Sequence, residues 1–159
     1  VLSWAVPRWV GNDTFFSADN IDYHIAFLDC ARTHHPSIGT INYIGLWNER
    51  SWNNDTAFVK DLRSSLDAND YHDTSIIMYD GFVNDDVDTI TTLLDDDQQF
   101  LDALKGGGLG YHYPCTFPPH NEIHDKYNLL FSSSLLVTSN KLLLPFLEFH
   151  HRSNDSNVT

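Results

Sequence analysis

Short apolar runs alternate with segments of helical spacing along the first part of this chain, and that alternation admits few folds. Runs at residues 1–6, 41–48, 75–80 and 109–114 read as strands, each rich in aliphatic or aromatic residues and bounded by Gly, Pro, Asn or Asp. Between them, Ile21, Ile25 and Leu28 fall on one face of a helix from Asp19 to about Arg32, with Asp19 or Asn20 as its cap. Phe58, Val59, Leu62 and Leu66 form a second apolar stripe behind Asn54 or Asp55. Val87, Ile90 and Leu94 begin a third, which resumes at Phe100, Leu101 and Leu104 after Asp95-Asp96-Asp97. Strand, helix, strand in this order predicts parallel βαβ units with right-handed crossovers, and excludes a sandwich or a helical bundle.

Length then limits the architecture. A complete (β/α)8 TIM barrel takes about 250 residues; this chain has 159. The expected fold is therefore α/β, a partial (β/α)8 barrel, with enough hydrophobic residues (42%) for a real core. The net charge of −13 repels phosphate backbones and argues against a nucleic-acid partner. Nine histidines would offset part of that charge at acidic pH.

Several motifs that invite a functional reading have a simpler one. His34-His35 precede Pro36 at a helix end, where solvated histidines are the rule. His120-Asn121-Glu122-Ile123-His124 misplaces the Glu of a zinc-protease helix and follows two prolines. Asp95-Asp96-Asp97 lacks the alternating ligands, Gly and terminal Glu of a calcium loop, and Gly106-Gly107-Gly108 lacks the Lys of a phosphate loop. No metal and no cofactor is expected. The apolar stretch Leu129 to Phe149 is broken by Ser132-Ser133-Ser134, by Ser139-Asn140-Lys141 and by Pro145, so no transmembrane segment is expected either.

The informative stretch is Ile41 to Trp52. An apolar run containing Ile44, Leu46 and Trp47 ends abruptly in Asn48-Glu49-Arg50. In a (β/α) barrel the chemistry lies where parallel strands end, because the packed strand holds the next side chains against the open face. Glu49 therefore has the position of a catalytic acid, with Trp47 and Trp52 as apolar walls that would raise its pKa. Asn48 suits a sugar hydroxyl, and Trp4 and Trp9 suit stacking against a sugar ring. The alternative for Asn48-Glu49-Arg50 is a helix cap with surface ion pairs, and for the two tryptophans ordinary core packing. Asp80, at the next strand end, either lines the same site or caps the segment after it.

Leu2-Ser3-Trp4-Ala5-Val6-Pro7-Arg8-Trp9-Val10-Gly11, then Trp47-Asn48-Glu49-Arg50-Ser51, then Tyr111-His112-Tyr113-Pro114 together resemble glycoside hydrolase family 59. The resemblance runs to about Pro114 and ends by Cys115. It implies a lysosomal retaining β-galactosidase that hydrolyses galactosylceramide and related galactosyl sphingolipids. Glu49 would be its general acid/base, with Trp4, Asn48 and His112 as substrate contacts. It further implies a saposin-type lipid-presenting activator as partner, and makes the four strands the third to sixth of the barrel.

The family's nucleophile is a second Glu in a Ser-Ser-Glu context on the following strand. Here that region reads Leu130-Phe131-Ser132-Ser133-Ser134-Leu135, without a carboxylate. The expected division is residues 1–115 as a fragment of the catalytic barrel and residues 116–159 as an unrelated tail. The chain alone is expected to be inactive. The alternatives are a truncated product with at most weak sugar binding, or an enzyme that recruits Glu122. Because Val1 falls within a strand, an N-terminal portion is expected elsewhere, and the change after Cys115 suggests truncation, alternative splicing or an unrelated reading frame. Cys30 and Cys115 define no disulfide framework. Sequons at Asn12, Asn54, Asn154 and Asn157 fit a glycoprotein of the secretory pathway.

Overall fold

A computed structural model describes residues 5–48, 55–81, 87–111 and 126–133. Among the described residues the sheet has four strands, β1 (Tyr43–Asn48), β2 (Ser75–Gly81), β3 (Gly108–Tyr111) and β4 (Leu130–Ser133), in spatial order β1-β2-β3-β4. Every neighbouring pair is parallel. The helices are α1 (Ala18–His34), α2 (Thr56–Ala68), α3 (Val87–Asp96) and α4 (Gln98–Ala103).

Each boundary has a local cause. The Ser17 side chain accepts from the Asn20 amide and starts α1, so Ser17 holds the cap position expected of Asp19 or Asn20. Asn20 is instead buried, its amide donating to the Phe15 carbonyl at 2.8 Å. At the other end, His35 and a tight turn at Pro36–Ile38 stop the helix, because proline offers no N–H to continue it. Asp55 caps α2 by accepting from Phe58 N at 3.0 Å, and Asp97 caps α4 by accepting from Phe100 N at 2.9 Å. The acidic run is thus a helix junction: Asp97 also binds Lys60 at 2.7 Å, while Asp95 receives Lys126 and the Tyr127 hydroxyl.

The stripes lie where their spacing predicts. Phe58, Val59, Leu62 and Leu66 of α2 are buried, as are Ile90 and Leu94 of α3 and Phe100 of α4. They share one core with Ile44 and Leu46 of β1 and with Ile76 and Met78 of β2. Those four strand residues are register partners of the same parity, so one face of the sheet meets the helices. Tyr43, Ser75 and Ile77, of the other parity, are only half-buried. Right-handed crossovers between strands that always advance in one direction put α2 and the α3–α4 pair on that same face.

Two expectations require correction. The strand expected at 1–6 does not include Ala5 or Val6, which lie in irregular backbone although Val6 is buried; residues 1–4 are outside the described residues. The chain after Cys115 is not wholly unrelated to the sheet, since Leu130–Ser133 pairs along β3 from Gly108↔Leu130 to Tyr111↔Ser133. Leu129 is buried just before β4, and Lys126 and Tyr127 reach back to Asp95 on α3. Tail composition hides this, because a four-residue strand carries too little pattern to stand out.

Candidate active site at the strand ends

The strands end together at one edge, and their register defines what meets there. Asn48 pairs with Asp80, Asp80 with Gly110, and Gly110 with Ser132. A second row holds Gly81, Tyr111 and Ser133. Neighbouring strands are about 4.8 Å apart, so Asn48 and Ser132 are separated by roughly 14 Å along the row. The irregular step between Ile77 and Asp80 in the β2–β3 ladder lies just before this edge, where bulges re-aim side chains.

Of the residues expected to form the site, Asn48 ends β1 and its backbone is paired. Glu49, the next residue, lies outside the described residues, as do Trp4 and His112, which directly follows β3. Asp80 is brought beside Asn48 in register, on the adjacent strand. Trp9, expected as a stacking wall, stands edge-on to Tyr23 of α1 at 5.6 Å and 78° and is 76% exposed. Among the described residues its ring contact is therefore with a helix flank.

The start of α2 carries a feature that sequence reasoning passes over. Phe15 and Phe16 pack with each other at 5.0 Å, and Phe16 meets Phe58, in the first turn of α2, at 5.4 Å. This aromatic wedge ties the loop before α1 to the start of the helix that comes after β1. The adjacent Phe-Phe pair is its only signal in the sequence.

Titratable groups elsewhere have structural roles. His24 is buried, its Nδ1 donating to the Asn20 carbonyl at 2.6 Å, and burial lowers its pKa so that the ring is neutral. The Tyr71 hydroxyl donates to Asp29 Oδ1 at 2.6 Å; burial, and then that carboxylate, push its pKa up to about 12. Arg32 binds the same carboxylate and lies over the Tyr71 ring at 4.7 Å. This cluster borders a cavity of about 320 Å³ lined by Leu28, Ile41 and Thr74. The cavity sits where β1 and β2 begin, at the opposite end from the strand tips. Among the described residues, no group of three or more His, Cys, Asp or Glu is arranged to hold a metal. No described helix is long and apolar enough to cross a membrane.

Residues 1–151 match the model of Glycosyl hydrolase family 59, so the likeness extends well past Pro114 and includes β4. Galactocerebrosidase of Danio rerio is 36% identical over 119 residues, which is 72% of this chain and 16% of that protein. A putative galactocerebrosidase of Caenorhabditis elegans is 30% identical over 146 residues, 89% of this chain and 20% of its own length. The Mus musculus galactocerebrosidase is 28% identical over 123 residues, 76% of this chain. The chain spans a fifth or less of these relatives.

Proposed function

Because the chain belongs to glycosyl hydrolase family 59, we propose that it is a portion of the (β/α)8 barrel of a retaining β-galactosidase acting on galactosylceramide and related galactosyl sphingolipids. The barrel reading rests on topology. A doubly wound sheet reverses strand order at a switch point, whereas these four strands advance in one direction with their crossover helices on one face.

The observation that carries the functional reading is that β1 ends with Asn48 at the sheet's C-terminal edge, and Glu49 is the next residue in the sequence. In this reading Glu49 protonates the glycosidic oxygen as the bond to galactose breaks, with Trp47 and Trp52 keeping its carboxyl protonated by excluding water. Asn48 binds a sugar hydroxyl, Trp4 stacks on the ring, and His112 completes the wall. The lysosome is the compartment, and a saposin-type protein presents the lipid. The names of the relatives support the substrate class.

A second reading, that this chain alone does not turn over substrate, is favoured by β4. Retaining glycosidases need two carboxyl groups about 5 to 5.5 Å apart, the second of which attacks the anomeric carbon. β4 comes after the Tyr111 strand, where the resemblance puts the nucleophile. Its residues are Leu130-Phe131-Ser132-Ser133, followed in the sequence by Ser134 and Leu135. None is a carboxylate. Without one no glycosyl-enzyme forms, and proton donation alone is worth about 10² to 10⁴-fold.

The test is hydrolysis of a chromogenic β-galactoside and of galactosylceramide at acidic pH by the purified chain and by Glu49→Gln. Little or no turnover by either is expected. Robust activity abolished by Glu49→Gln would refute the inactive reading and keep Glu49 as the acid. Activity indifferent to that substitution would remove Glu49 from the mechanism.

A further inference from the structure

The loop from Pro7 to Ser17 is pinned at two points and turned outward between them. Val10 and Phe15 are buried, while Trp9, Asn12, Asp13 and Thr14 are exposed. Hydrogen bonds from Val10 N to Pro7 O, Asp13 N to Val10 O and Thr14 N to Gly11 O fold it into successive tight turns. Gly11, Asn12 and Asp13 all have positive φ, at 55°, 53° and 66°. A side chain at Gly11 would collide with Ser17 Oγ, so glycine is required there; Asn and Asp are the other residues that tolerate this backbone region best.

Asn12-Asp13-Thr14 is a sequon, and the Asn12 amide makes no hydrogen bond to the described residues. Thr14, in extended backbone at φ −96° and ψ 112°, is exposed with it. Three residues before Asn12 stands Trp9, a large aromatic ring 76% exposed, whose edge-to-face contact with Tyr23 leaves most of its surface in water. An indole face is a large apolar surface beside a polar N–H, suited to an amphipathic partner such as a sugar ring.

We propose that Asn12 carries an N-linked glycan whose first sugar lies over Trp9. The proposal rests on the secretory routing of the proposed function, and not on its chemistry. An oligosaccharyltransferase would move the oligosaccharide from a lipid-linked diphosphate donor. The Asn12 amide nitrogen forms the bond to the anomeric carbon and loses a proton; the anomeric carbon–oxygen bond breaks, and the lipid diphosphate leaves with its electron pair. The sugar's C–H face then covers indole surface that protein leaves open, and the turn projects the branch away from the core.

The test uses the full chain directed into the endoplasmic reticulum of a eukaryotic host by an added signal peptide, so routing is supplied whatever its catalytic role. Peptide mass after release by a glycoamidase reads occupancy of each sequon, independently of folding. Asn12 is expected to be occupied, and Asn12→Gln or Thr14→Ala to remove that glycan alone. Hydroxyl-radical oxidation of Trp9, read by peptide mass, is expected to fall severalfold in the glycosylated chain relative to Asn12→Gln. Asn12 found bare, whatever the state of the other three sequons, overturns the proposal. Equal oxidation of Trp9 with and without the glycan overturns it as well. Hydrolysis of galactosides has no bearing on either readout, so the two readings fail separately.

Discussion

Replacing Leu129 by Ala tests whether the segment that ends in β4 belongs to the sheet. Leu129 is 1% exposed and lies in the same core as the α3 and α4 residues Ile90, Leu94 and Phe100. Removing three methyl and methine carbons from such a site costs about 2 to 5 kcal/mol, the lost transfer energy plus the residual cavity. Domains of ordinary stability have about 5 to 15 kcal/mol in all, so the change would remove a large fraction. Outside its ladder with β3, two side chains of the segment reach back to α3. Tyr127 donates to Asp95 Oδ1 at 2.8 Å, and Lys126 binds the same carboxylate through an exposed ion pair. Neither is a substitute for burial, because exposed pairs contribute little.

Urea unfolding monitored by circular dichroism measures the loss, and hydrogen exchange locates it. If β4 is docked on β3, Leu129→Ala should also deprotect the amides of Gly108–Tyr111, whose partner strand it loosens. A destabilisation below about 0.5 kcal/mol, the usual range for surface substitutions, with β3 protection unchanged, would refute the placement of residues 126–133 in this layer.

Gly107→Ala should destabilise by about 2 to 3 kcal/mol, toward the upper end for overpacking, because the added methyl would collide with the Ile76 carbonyl on β2; a neutral result in the same urea assay would deny the close approach. Asp55→Ala should cost about 1 kcal/mol by removing the α2 cap, with Asp55→Asn retaining most of it. His24 has a folded pKa below 6.5 because it is buried, so the native state resists protonation that the unfolded chain accepts. Its contribution to stability is therefore full above 6.5 and is lost as pH falls from there toward the folded pKa. The urea midpoint should drop over that interval, and a flat profile would contradict the neutral buried ring.

The helices are the most legible part of the fold, and the reason is pattern length. α2 buries Phe58, Val59, Leu62 and Leu66, the same four residues its spacing singles out. β1 and β2 are equally clear because their apolar runs are bounded by Asn48 and Gly81 and cover six and seven residues. The cap of α1 lies two or three positions before the expected one, since Ser17, Asp19 and Asn20 are all good caps and only the packing of Asn20 against the Phe15 carbonyl decides among them. β4 escapes a reading by pattern because Leu130-Phe131-Ser132-Ser133 resembles any apolar-to-polar transition until β3 supplies its partner. At the candidate site, the approach of Asn48 to Asp80 comes only from register, which no spacing within either strand encodes.

Register also bears on how so short a sheet would position the proposed chemistry. Successive strands rise side by side with their crossovers on one face, so their last residues form a ladder, Asn48, Asp80, Gly110 and Ser132, with no helix intervening. Each rung is one strand further round the sheet. A carboxyl beside the first rung and another beside the last would therefore sit apart on a flat sheet, and approach only as curvature brings the tips together. Closing a barrel supplies that curvature, through strand tilt and twist. Under the proposed function, the distance of about 5 to 5.5 Å that retention demands would be a property of the closed ring, to which this chain would contribute the strand that ends at Asn48 but, at Ser132 and Ser133, no second acid.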